Sequence, residues 1–440
     1  NHTRPKDNEA LYYLGQALRQ QGRLAEACEI LERAAWAPAW RTAACTSLAQ
    51  MACARGRFAE ALVCLDRSGS AAETGGAVQA PLRAAVLRHL GRLGEASEAA
   101  SAALGFNPLD FWAAHEQALA ELASGNRAAG EGLLLRLGEL MRGEPQSWLE
   151  LAASYMGCGL HAEAKQALLR FEETYGDNTT GRDDSAGKEI PPLMCYTLGY
   201  LEQETGNLAA ARKRYAQAAL GSPDGSFPFR AETVRVLEAA LAEDPADGRA
   251  HYYLGTCLFE SQPERAIEHW EKAHELGEDY FMLFRNLGLA FARVRNDPQA
   301  AVSYLEEALK REKGYARLFY ELDLMYAAAG KNPEERLALL EANHTIVSQR
   351  DDALTQEIKL LVQTGEYDRA ISLLSDNHFH VWEGGGQIHS YFVHAHLLKG
   401  KVAFEEGDHT EALRSFRKAG TYPENLEVGE PVHGGRKAQV

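Results

Sequence analysis

Apolar residues along this chain recur three and four positions apart in short stretches separated by polar turns, which is the signature of amphipathic helices rather than strands. The pattern repeats. Ala27, Ala61, Ala96, Gly130 and Ala164 follow one another at steps of 34, 35, 34 and 34 residues. Gly22, Gly56, Gly91, Gly125 and Gly159 keep the same beat, as do Gly15, Ala49, Ala84, Ala118 and Ala152. A period in this range predicts stacked helix pairs. Two of the three columns must stay small because the helices of a pair cross there, and only Gly or Ala lets the backbones approach. The third column ends the first helix in a left-handed turn that glycine adopts without strain. Larger residues such as Trp148, Leu151, Tyr155, Leu168 and Phe171 fill the space between, and Pro108 and Pro245 stop helices.

The beat breaks at residues 172–191, where the run Gly176–Gly187 is polar and glycine-rich and reads as a surface loop. It resumes at Ala211, breaks again between Gly221 and Phe229, and is followed by a half-repeat helix, Ala231–Glu243. Ala266, Ala301, Arg336 and Ala370 then mark further repeats at steps of 35, 35 and 34, and Gly400, Gly407 and Ala412 mark the last. This pattern resembles the tetratricopeptide repeat, most clearly at Leu14-Gly15…Gly22…Ala27, at Trp148…Leu151-Ala152…Tyr155…Gly159…Ala164 and at Leu198-Gly199…Gly206…Ala211…Tyr215. The resemblance implies an all-α, tetratricopeptide-like solenoid, a right-handed superhelix of about twelve helix pairs with no sheet. It predicts N-terminal repeats over 1–171, a flexible loop over 172–191, C-terminal repeats over 192–425 and a disordered tail over 426–440.

Composition narrows the function. The formal charge of −16 repels phosphate backbones and argues against nucleic-acid binding. The seven cysteines form no CxxC pair and read as reduced core thiols of a cytoplasmic protein. No run approaches the ~20 apolar residues of a membrane span, so no membrane association is expected. The chain begins at Asn1 rather than Met, which suggests a processed product or the later part of something longer.

A narrower resemblance covers residues 190–428. His251-Tyr252-Tyr253-Leu254-Gly255, Arg285-Asn286-Leu287-Gly288, Glu321-Leu322-Asp323, His378-Phe379-His380-Val381-Trp382-Glu383-Gly384-Gly385 and Tyr422-Pro423-Glu424-Asn425 resemble a bacterial repeat family defined by a domain of unknown function. In that family a β-rich domain related to carbohydrate-active proteins precedes the repeats. The resemblance implies such a domain, absent here, as a partner, and a glycan as a ligand.

Three constellations could carry chemistry. The segment from Asp376 to Gly386 does not fit the repeat, because Ala370 and Ala412 stand 42 residues apart. His378 and His380 share one side of an extended strand, Trp382 offers a face to stack on, and Glu383 an acceptor. The expectation is a pocket formed with Arg285; the alternative is that Trp382 merely plugs a gap. No metal site is expected. His378, His380, His389, His394 and His396 cluster, but no HExxH motif or nearby Cys accompanies them. Second, Asp323 and Arg336 replace the small residues of both crossing columns in one repeat, so a buried structural ion pair is expected. Third, Tyr252, Tyr320 and Arg285, with Arg249 and Phe259, fall on the first helices that line a concave groove. The expected function is a non-enzymatic scaffold without a cofactor that binds a protein, a peptide or an accessory domain. The alternative is a glycan-binding or glycoside-hydrolysing site using Glu383, Asp323 and Glu321, since glycosidases need two carboxyls in one cleft.

Overall fold

A computed structural model describes residues 8–68, 79–176, 190–228, 230–380 and 387–429. Among these residues there are 24 α-helices and no strand, a tetratricopeptide-like solenoid. The chain divides into two compact units, 1–257 and 258–440. The helices that follow residues 172–191 pack with the first unit, where Tyr200 sets its ring edge-on to His161 at 6.1 Å.

In the first unit the leading helices are α1 (Asn8–Gln20), α3 (Pro38–Cys53), α5 (Gln79–His89), α7 (Phe111–Ala123), α9 (Pro145–Met156) and α11 (Pro192–Glu204). Their partners are α2 (Leu24–Ala34), α4 (Phe58–Arg67), α6 (Leu93–Phe106), α8 (Arg127–Met141), α10 (His161–Tyr175) and α12 (Leu208–Leu220). The half-repeat α13 (Ala231–Glu243) and α14 (Gly248–Leu258) follow. The second unit contains α15 (Pro263–Glu275), α16 (Phe281–Arg293), α17 (Pro298–Arg311), α18 (Ala316–Ala328), α19 (Pro333–Ala342) and the single turn α20 (His344–Val347). It continues with α21 (Asp351–Gln363), α22 (Tyr367–Asp376), α23 (Ile388–Glu405), α24 (His409–Ala419) and a 3-10 turn, Glu424–Leu426.

Local chemistry sets these limits. Proline opens α3, α9, α11, α15, α17 and α19, where its missing N–H costs nothing. Asp110, Asp297, Asn332 and Asp408 accept a hydrogen bond from a first-turn backbone N–H. The turn glycines, Gly22 through Gly159 in the column above, have φ between 68° and 86°. Crossings are as tight as the small columns require. A Cβ on Gly130 would lie 2.6 Å from Leu122 and 3.0 Å from the Ala118 carbonyl, and one on Gly288 would lie 3.1 Å from the Ala301 carbonyl.

The first unit also closes on itself. Arg235 in α13 donates to Gln20 in α1 at 2.6 Å, and Arg19 donates to the Gly157 carbonyl beyond α9 at 2.5 Å. A Cβ on Gly159 would lie 2.7 Å from the Ala54 backbone. Trp148, Tyr155, Leu168 and Phe171 are all buried in its core. In the second unit the ordered chain runs further than expected. Leu426 is fully buried in the core, because Asn425 ties the turn down by donating to the Leu374 and Asn377 carbonyls at 2.8 and 2.7 Å. The tail expected from 426 thus begins with core structure.

Candidate functional site

The residues singled out in the second unit separate into three groups. Asp323 and Arg336 meet at the crossing of α18 and α19. Arg336 donates through Nε and Nη2 to the two carboxylate oxygens, both at 2.8 Å, with the residues 1 % and 5 % exposed. Glu321 faces another direction. Arg285 of α16 donates to it through Nε and Nη2 at 2.6 and 2.5 Å, and Arg317 adds a bond at 2.9 Å. Two of the three carboxylates considered for catalysis are thus buried and matched by guanidinium groups. Arg285 is engaged with Glu321, away from the role expected for it beside the histidines. Tyr320 is half-buried against the same core, and Tyr252 belongs to the first unit, buried with its ring 5.2 Å from Tyr253.

The third group surrounds the segment after α22. Phe379 is buried in the core, and its N–H donates to the Asn425 carbonyl at 2.8 Å. That anchor sends the flanking His378 and His380 to the opposite side, as alternation along extended chain requires. Their rings lie 5.1 Å apart. Asp351 accepts from the His380 backbone N–H at 2.7 Å and lies 3.1 Å from its Nδ1. Glu427 stands 3.9 Å from His378 Nε2. Trp382, Glu383 and the glycines 384–386 lie outside the described residues.

A large cavity lies in the first unit, away from the site residues singled out from the sequence. It has a volume of about 1320 Å³ and is lined by the inward faces of α1, α3, α7, α9, α11 and α13. Its wall mixes amides and hydroxyls (Gln16, Gln50, Ser154) with arginines (Arg19, Arg235) and apolar surface such as Trp112. Gln16 donates to Ser47 at 2.6 Å, and Arg19 donates to Gln50 at 2.8 Å as well as to the Gly157 carbonyl. Burial pulls the Arg19 pKa below the usual arginine value, and the neighbouring Arg235 charge adds to the effect. Arginine stays protonated regardless, and Asp110, Glu150, Glu204 and Glu232 line the same cavity, so its wall carries charges of both signs.

Beside the cavity lies a buried polar network. Arg88 donates to both oxygens of Glu116, at 2.8 and 3.2 Å, and to Glu163 at 3.0 Å. The Tyr155 hydroxyl donates to Glu116 at 2.7 Å and lies 2.7 Å from His115 Nδ1. Burial and then the Arg88 charge push the His115 pKa down to about 3. Burial raises the Tyr155 phenol well above its usual value, and the Glu116 charge adds to it. One signal could have found this network. Glu116 and Glu321 both stand two positions before the small column, a place where each ends up buried against an arginine.

The tetratricopeptide repeat family matches the chain at residues 1–44 and 229–263. No curated protein matches it in sequence. Among solved structures, YrrB, a TPR protein with an unusual peptide-binding site, is 21% identical, covering 42% of this chain and 91% of its own at a TM-score of 0.34. Human IFIT1, solved as a dimer with m7Gppp-AAAA, is 16% identical over 86% of this chain and 89% of its own, with a TM-score of 0.33. Yeast Tom70 is 15% identical over 96% and 94%, with a TM-score of 0.26. These likenesses concern the fold alone. No helix of the described residues is long and apolar enough to cross a membrane. Helix pairs that cross at small residues and turn at left-handed glycines, with two segments that match the tetratricopeptide-repeat family, make this chain a tetratricopeptide-like solenoid.

Proposed function

We propose that this chain is a non-enzymatic scaffold that holds an extended segment of a partner protein in the cavity of its first unit. The observation that carries the reading is the cavity itself. At about 1320 Å³ it exceeds the ~300–1,000 Å³ typical of small-molecule sites. Amides, hydroxyls and arginines spread along its wall suit the repeating carbonyls of a peptide better than one compact ligand. Charged groups of both signs, Arg19 and Arg235 with Glu204 and Glu232, suit a segment that carries both donors and acceptors. The hydrolytic alternative loses support, because Asp323 and Glu321 have their carboxylates bound to arginines.

The test is selection of peptides from a random display library on the full chain, followed by fluorescence polarisation. Ser154 lines the cavity from α9, and Ser154→Trp fills that space. Selected peptides are expected to bind this variant at least tenfold more weakly while its circular dichroism spectrum stays helical. Equal binding by the variant would place the interaction elsewhere.

A further inference from the structure

We propose that His378, His380 and Glu427 form a binding site for one divalent ion of the zinc class, with Asp351 as the carboxylate that orients His380. One donor atom from each of the three residues lies within 4.8 Å of the others. Two imidazole nitrogens and one carboxylate oxygen are a donor set that suits Zn²⁺ rather than Mg²⁺ or Ca²⁺, which take oxygen ligands. At zinc bond lengths, ligand atoms on a tetrahedral ion stand about 3.4 Å apart. The 3.9 Å between His378 Nε2 and Glu427 Oε1 is already close to that, so small rotations of these solvent-accessible side chains complete the geometry. Three protein ligands leave the fourth position to water.

The support around the set is what separates it from a chance surface cluster. The Asp351 carboxylate lies 3.1 Å from His380 Nδ1 and accepts the His380 backbone N–H at 2.7 Å. With the ring proton on Nδ1, this contact would be the carboxylate–histidine relay that orients a metal-bound imidazole. Phe379, buried between the two histidines and bonded to the Asn425 carbonyl, fixes the register that puts both on one side. Asn425, two residues before Glu427, binds the Leu374 and Asn377 carbonyls. Both arms of the site are therefore anchored before an ion arrives. No spacing rule marks the set, because its carboxylates come from the start of α21 and from the turn after α24, on either side of the histidines. An ion here clips the turn after α24 to the segment that follows α22.

The experiment is isothermal titration of ZnCl₂, and separately of MgCl₂, into the metal-stripped full chain. One equivalent of Zn²⁺ is expected, with no comparable Mg²⁺ uptake. His378→Ala and His380→Ala should each weaken Zn²⁺ binding at least tenfold, and Asp351→Asn by about 10–100-fold. Hydrogen exchange should show zinc-dependent protection of the segments around residues 378–380 and 424–427 in the wild type and not in the histidine variants. Helicity by circular dichroism separates loss of the site from loss of the fold. Failure of the wild type to bind, equal uptake of Mg²⁺, or undiminished Zn²⁺ binding by the His378→Ala/His380→Ala double variant would each overturn the proposal. Unchanged affinity in Asp351→Asn would overturn the orienting role of that carboxylate.

Discussion

Removing one partner of the Asp323–Arg336 pair should be far more damaging than removing both. Both side chains are sealed at the crossing of α18 and α19, with two parallel hydrogen bonds of 2.8 Å. In Asp323→Ala the guanidinium keeps its burial and loses both acceptors. In Arg336→Met the carboxylate is stranded in the same way. Each should cost about 3–5 kcal/mol, the range for uncompensated buried charge. The double variant Asp323→Ala/Arg336→Met carries no charge at all. It returns the first helix to the small residue found in the other repeats, while methionine fills the arginine's space. It should lie within about 2 kcal/mol of the wild type, because the attraction within a buried pair barely repays its desolvation. The coupling between the two sites then amounts to at least about 4 kcal/mol. Native-state hydrogen exchange read by mass spectrometry on peptides from α18 and α19 measures these free energies locally, which suits a chain of two units better than one global melt. A double variant that loses the sum of the two single effects would refute the reasoning, as would single variants that lose less than 1 kcal/mol.

Two further predictions concern the first unit. Its stability should fall with acid in two stages. His115, held neutral with a pKa of about 3 against 6.5 for the free side chain, binds no proton in the fold where the unfolded chain does. Its stability is whole above pH ~6.5, is lost as pH falls toward 3, and totals roughly 3–5 kcal/mol. Burial raises Glu163, but the hydrogen bond from His89 and the Arg88 charge bring it down to about 2, so its contribution is present above ~4.5 and lost below. Urea midpoints measured between pH 7 and 5 should therefore slope in the wild type and flatten in His115→Asn; parallel slopes would contradict the assignment. On α8, Gly130→Ala should cost about 1–3 kcal/mol, because its Cβ lands 2.6 Å from Leu122 and 3.0 Å from a backbone carbonyl. Gly132→Ala, two residues along with nothing within 4 Å, should be neutral or stabilising by up to ~1 kcal/mol. Similar denaturation midpoints for the two variants would remove the crossing argument.

The sequence by itself determined the repeat, because helix crossings and left-handed turns act on single positions. Gly22 must reach φ 74°, and at Gly15 a Cβ would already lie 2.6 Å from the Leu31 side chain, so each position leaves a small residue or a glycine in most repeats. It also singled out Asp323 and Arg336, since two charges where small residues belong are conspicuous. Only the tertiary structure decided which face of which repeats encloses space. Arg235 reaches Gln20 from 215 residues away, and the curvature that brings them together is a sum of small rotations between neighbouring pairs that no local pattern records. The same reason hid the company of His378 and His380. Their extended register was legible, but Asp351 and Glu427 reach them through the packing of α21 and the last turn. Arg285 was misplaced for a related reason. Its position on an inward helix face was readable, whereas its pairing with Glu321 depends on how two successive leading helices lie side by side, which the chain settles only once it is folded.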